Sequence, residues 1–250
     1  QSDYQGTAQS VTNDDSIEMV NEWVEKQTNG KITNILSEEN RGYVCALANA
    51  IYMKADWVNK FEKEGTYKET FTDINGNKSE IDFMHRLMDI EYYENGDTKA
   101  VKLPYTNGLS MVVVLGDTKN ILNDIHNNKM TSKLVDVSLP KFKGEYSIDY
   151  VNILKNMGIE KAFDYQNADF SLMLENYPER IKIDSVLQKA MIDVDEKGTE
   201  AAAATVAVLT KSALSVDEEV IEFRADKPFT YYILDDNGNV YFAGRYVKAE

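Results

Sequence analysis

Few side chains in this 250-residue chain are of the kinds that do acid–base or nucleophilic chemistry. There are two histidines, His85 and His126, and one cysteine, Cys45. Neither histidine lies in an HExxH-type metal spacing. No GxSxG elbow, phosphate-cradling glycine loop or Cys–His signature is present. His85 follows Phe83 and Met84 in a strand pattern and is expected to pack. His126 lies in a polar, Asn-rich segment and is expected to be solvated. Cys45 stands in an apolar strand-like run, where a small buried thiol is the ordinary role. The acidic residues are scattered over polar faces, as on a solvated surface. An enzyme active site finds no support in these residues.

The spacing that stands out has a mechanical rather than a chemical character. Glu196, Lys197, Gly198, Thr199 and Glu200 lead into Ala201, Ala202, Ala203 and Ala204, then Thr205. Alanine is the strongest helix former, so one exposed helix is the plain reading. Against it, the run starts at a glycine and continues into Thr205, Val206, Ala207 and Val208, where β-branched residues favour strand. In a strand, Thr199, Ala201, Ala203 and Thr205 would share one face and Glu200 the other. All four are small enough to slide between neighbouring strands. The segment is therefore one that can be exposed and could become a strand.

The elements that must position this run read as follows. Val186, Ala190, Ile192 and Val194 belong to a strand over 182–195 that feeds directly into it. Strand pattern returns at 220–223, and 219–247 holds two or three strands with a turn at Asn237-Gly238. Upstream, residues 1–11 read as a short strand or arm. Ser16 is a candidate N-cap for a helix to about Gln27, with Ile17, Val20, Trp23 and Val24 on one face and Asn29-Gly30 ending it. The near-continuous apolar run 42–54 predicts a strand covered on both faces. Asn49 inside it would be a buried amide in need of partners. Segments 71–87, 92–105 and 109–115 read as strands, with hairpin turns at Asn75-Gly76 and Asn107-Gly108. A weak helical pattern covers 119–133, strand 134–148, and a short helix 149–158 ending at Gly158. Many strands with few helices give an α+β class.

Composition narrows the function. A 43% hydrophobic content supports a sizeable core, and a net charge of −15 argues against nucleic acid or an anionic membrane as partner. No apolar run is long enough to span a bilayer. A lone cysteine forms no internal disulfide.

The run EKGTEAAAAT at 196–205 resembles the hinge of the reactive-centre loop in inhibitory serpins, the serine protease inhibitor family. NEWVEKQTNGKI at 21–32, ALANAIYMKADW at 46–57, LPKFKGEYSID at 139–149, and KPFTYYIL with GNVYFAGRYV across 227–247 extend the likeness in order along the chain. The resemblance implies one domain over 1–250 with a large central sheet, a helix lying across it and an exposed loop over 196–220. Residues 4–11 resemble the strand before that helix, so about a third of the usual fold, and any export signal, would lie upstream. An extracellular or cell-surface location is the matching expectation.

By the same resemblance, Trp57 and Lys141 belong to the breach at the top of the sheet, with Glu196 pairing with Lys141. Asn49 and Gln188 belong to the shutter, where the family usually has His in place of Gln188. Gly198 would let the backbone bend, Thr199 would be the first side chain to enter the sheet, and the alanines would follow without clash. Counting from Glu196 by the family's loop length puts the scissile bond at Ser212–Ala213, which suits elastase- or subtilisin-like proteases. A one-residue shift gives Lys211–Ser212 and trypsin-like targets, and Leu209 or Leu214 would suit chymotrypsin-like ones. The expectation is a monomeric suicide inhibitor of serine, or else cysteine, proteases that needs no cofactor. The alternatives are a non-inhibitory carrier or chaperone of the same fold, or an inactive fragment.

Overall fold

The computed structural model describes residues 10, 15–173, 180–199 and 219–249. Its elements in chain order are α1 (Ser16–Gln27), β1 (Ala46–Tyr52), β2 (Ala55–Asp56), β3 (Thr66–Thr72), β4 (Lys78–Asn95), β5 (Thr98–Pro104) and β6 (Leu109–Leu115). There follow α2 (Ile121–His126), β7 (Thr131–Pro140), β8 (Phe142–Asp149), α3 (Val151–Asn156), β9 (Ser185–Asp195), β10 (Gly198–Thr199), β11 (Ile221–Arg224), β12 (Phe229–Asp235) and β13 (Val240–Tyr246). Strands dominate and helices are few, an α+β architecture. The chain forms two compact units, one from 1–52 with 145–192 and the other from 53–144 with 193–250.

In the first unit, β1 and β9 run parallel and in register from Ala46↔Ser185 to Tyr52↔Met191. Helix α1 covers one face of this pair. Its apolar stripe of Ile17, Val20, Trp23 and Val24 packs on Ala48, Ala50, Leu187 and Met191, with Ile32, Ile35 and Leu36 closing the cluster. The helix ends where Asn29 and Gly30 both take positive φ (52° and 77°) and the Gly30 amide returns to the Glu25 carbonyl. Its N-cap is Asp15, so Ser16 is the first helical residue rather than the cap. Among the described residues nothing covers the opposite face of β1: Leu47 is 47% exposed and Asn49 is exposed, so the strand is covered on one face there and not on both. Period-2 patterning still holds, because the alternate residues Ala48 and Ala50 face the helix.

The second unit carries an eight-stranded sheet in the order β11-β7-β4-β5-β6-β12-β13, with β3 also paired to β4. β4 is one 18-residue strand where the sequence reads as two, because no turn residue interrupts the alternation through Leu87, Asp89 and Glu91. Its first part pairs with β3, its middle with β7 and its end with β5. The β3–β4 hairpin closes over Asp73, whose carboxylate accepts from the Asn75 and Asn77 amides, each at 2.8 Å. The core under α2 gathers Ala100, Val112, Val114, Ile121 and Leu234.

Candidate functional site

The site is built on the turn that follows β9. Asp195 ends the strand, and its carboxylate accepts from the Lys197 amide at 2.8 Å and the Gly198 amide at 3.3 Å. This local hydrogen bonding favours a turn over continued strand. The chain folds straight back as β10, which pairs antiparallel with β9 (Gly198↔Asp195, Thr199↔Val194) and, on its other side, with β2 (Gly198↔Asp56, Thr199↔Ala55). Gly198 has φ +153°, and a Cβ there would lie 2.1 Å from the Ala55 carbonyl oxygen. Only glycine fits, because β2 has come too close for any side chain. The glycine serves close approach as well as bending.

Trp57 and Phe61 hold the turn by its carbonyls. The Trp57 amide donates to Lys197, the Trp57 indole N–H to Asp195 at 2.9 Å, and the Phe61 amide to Glu196. Trp57 is 1% exposed, stacked on Tyr105 with ring centroids 4.2 Å apart and 11° between planes. Thr199 is fully buried, and its hydroxyl lies 2.7 Å from the Tyr105 hydroxyl. Burial pushes the Tyr105 phenol upward, so it stays neutral.

Glu196 is nearly buried, and Lys141 Nζ sits 3.1 Å from its carboxylate. Burial by itself would raise the Glu196 carboxyl. A backbone hydrogen bond and the Lys141 ammonium outweigh it and hold the carboxyl below its ordinary value. Lys143 pairs with Asp193 at 3.1 Å beside it.

Asn49 and Gln188 are register partners in the β1–β9 ladder and lie on the face away from α1. Asn49 is exposed and Gln188 half-buried, so neither is the buried amide that the sequence pattern predicts. Glu200, Ala201, Ala202, Ala203, Ala204, Thr205, Leu209, Lys211, Ser212, Ala213 and Leu214 lie outside the described residues. Cys45 is half-buried rather than buried, and burial raises its thiol.

Sequence reasoning singles out Trp57, Lys141, Glu196, Gly198 and Thr199 but misses Tyr105. It also misses a group around His85. The Ser138 hydroxyl lies 3.1 Å from His85 Nδ1, and Glu69 lies 3.7 Å from Nε2. These are the residue types of a serine hydrolase, arranged for another purpose. Ser138 is only 3% exposed, too buried to meet a substrate. Glu69 is engaged by Arg224 at 2.6 Å, and His85 stacks on Tyr67. Burial lowers the His85 imidazole, with Glu69 and Asp136 opposing. The group ties β3, β4, β7 and β11 together. Among the described residues, no three His, Cys, Asp or Glu side chains gather as a metal site.

The site is thus a short hinge strand held between β9 and β2 beside a buried tryptophan, with the buried Glu196 carboxylate paired to the partly exposed Lys141. The family model described as Serpin (serine protease inhibitor) matches residues 1–249, and the chain belongs to this family. A serpin-like protein of Thermococcus kodakarensis is 37% identical over 243 residues, covering 90% of this chain and 55% of its own length. Serpin B11 of Mus musculus is 31% identical over 267 residues, covering 98% of this chain and 68% of its own. The native-state structure of the thermophilic serpin tengpin superposes with a TM-score of 0.80 at 30% identity, covering 94% of this chain and 63% of tengpin's. Thyroxine-binding globulin in complex with thyroxine has a TM-score of 0.82 at 24% identity and shares the fold. The chain thus spans little more than half the length of the Thermococcus relative and about two thirds of the mouse one.

Proposed function

We propose that this chain carries the hinge and reactive-centre loop of a suicide inhibitor of serine proteases. The protease serine attacks the carbonyl carbon of Ser212, and the Ser212–Ala213 bond breaks. Ala213 leaves as a free amine, and the protease becomes an ester of Ser212. The freed loop then enters the sheet as an antiparallel strand between β9 and β1 before water can hydrolyse the ester. A small residue at 212 suits an elastase- or subtilisin-like pocket. Cleavage after Lys211 instead would mark a trypsin-like target.

The observation that carries this reading is the register of the hinge. Gly198 and Thr199 already pair with strands on both sides, whereas β1 and β9 remain direct neighbours over 46–52. The next residues to follow are Glu200 and four alanines, none bulky and apolar. Insertion of about a dozen residues adds ladder hydrogen bonds of roughly 0.5–1.5 kcal/mol each, on the order of 10 kcal/mol in sum. The intact form is then a kinetic trap that loop cleavage releases.

The test is an SDS gel of the protein mixed with pancreatic elastase and, separately, with trypsin. A stable adduct of roughly summed mass is expected, with mass spectrometry locating the cut at 212–213. A clipped loop without adduct would make the protein a substrate or a non-inhibitory family member. A cut outside 209–214 would remove both candidate bonds.

A further inference from the structure

We propose that Tyr105 is a positioning residue for loop insertion, its buried hydroxyl forming the seat for the hydroxyl of Thr199. The proposal rests on the insertion reading above and assigns a determinant to its first step. Tyr105 is 2% exposed and Thr199 fully buried, and their hydroxyl oxygens lie 2.7 Å apart. The ring cannot swing away to solvate its hydroxyl, because it is stacked flat on Trp57. Tyr105 itself is fixed from both sides. Its amide donates to the Leu109 carbonyl across the Asn107-Gly108 turn, and it bridges antiparallel to Trp57. The phenol is therefore a preorganised partner at the one place where residue 199 must sit when the hinge enters between β9 and β2.

Each hydroxyl makes the other's burial tolerable. With one removed, the remaining one is buried without that partner whenever Thr199 is in the sheet, and regains water whenever the hinge withdraws. The single substitutions Tyr105→Phe and Thr199→Val should each shift the hinge outward. With both removed, two apolar groups of similar shape face each other and the bias disappears. A hinge that spends less time seated starts insertion more slowly, and more of the acylated protease escapes by hydrolysis. Tyr105→Phe keeps the stack on Trp57, so the packing of the ring is unchanged by the test.

The experiment compares the wild type, both single variants and the double variant by two readouts. The first needs no protease: hydrogen exchange at the β10 amides. Protection should fall on the order of tenfold in each single variant and return in the double variant. The second is the number of inhibitor molecules consumed per protease trapped, expected to rise about fivefold in the single variants and recover in the double one. Equal losses in Tyr105→Phe and in the double variant would overturn the proposal, since Tyr105 would then act only by packing. Single variants indistinguishable from wild type in exchange would overturn it too. If the exchange pattern holds but no variant, wild type included, traps a protease, the inhibitory reading falls while the Tyr105–Thr199 seat stands.

Discussion

At position 198 a methyl group would lie 2.1 Å from the Ala55 carbonyl oxygen, on a backbone whose φ of +153° already disfavours L side chains. Gly198→Ala should detach β10 from β2 and lower stability by about 2 kcal/mol or more, read by thermal unfolding. The Glu196–Lys141 pair makes a pH prediction. The folded-state carboxyl titrates below its unfolded value, so its contribution is present above the ordinary Glu range and is lost as pH falls through the lowered folded value. Glu196→Gln should therefore cost about 1–2 kcal/mol at pH 7, and the gap from wild type should close as pH falls through the lowered carboxyl value, as followed by denaturant melts across pH. Glu196, Lys141 and Trp57 are legible in the sequence because each sits inside a recognisable run. Tyr105 is not, because its partner Thr199 is 94 positions away and no local pattern marks the pairing.

The helix over 16–27 and the strands from 182 onward are visible as periods of 3.6 and 2 in the sequence, because each buries one face. Period alone misjudges β1. A run of apolar residues reads as doubly covered, yet only Ala48 and Ala50 meet α1 while Leu47 and Asn49 face outward. Two substitutions separate the faces. Leu187→Ala, beneath the helix, should cost about 2–4 kcal/mol by leaving a cavity. Asn49→Ala, on the open face, should change stability by less than about 0.5 kcal/mol in chemical unfolding, where a buried amide would cost more. Long-range pairings such as β11 beside β7 are beyond any local pattern, since Ile221 and Val135 share a register that only the folded sheet defines.

Over the whole molecule, a net charge of −15 repels itself, and its acidic groups are only partly paired with cations. Raising ionic strength from about 0.01 M to 0.15 M shortens the screening length from roughly 30 Å to 8 Å. The thermal midpoint should accordingly rise by a few degrees over that range, measured by calorimetry at fixed pH. A midpoint that falls with salt would mean that attractive pairs outweigh the repulsion. The same charge bears on partners, because a positively charged protease would be drawn in faster at low salt, and the association rate should drop as salt is added.

The stack of Trp57 on Tyr105 also furnishes an optical gauge. The chain holds two indoles, Trp23 and Trp57. With Trp23→Phe in place, Trp57 would be the sole tryptophan, excitable apart from the tyrosines, buried and hydrogen-bonded through its indole N–H to the Asp195 carbonyl beside the hinge. Whatever moves that carbonyl should change the colour and yield of its light, so a stopped-flow trace would time any movement of the hinge in a single mixing shot.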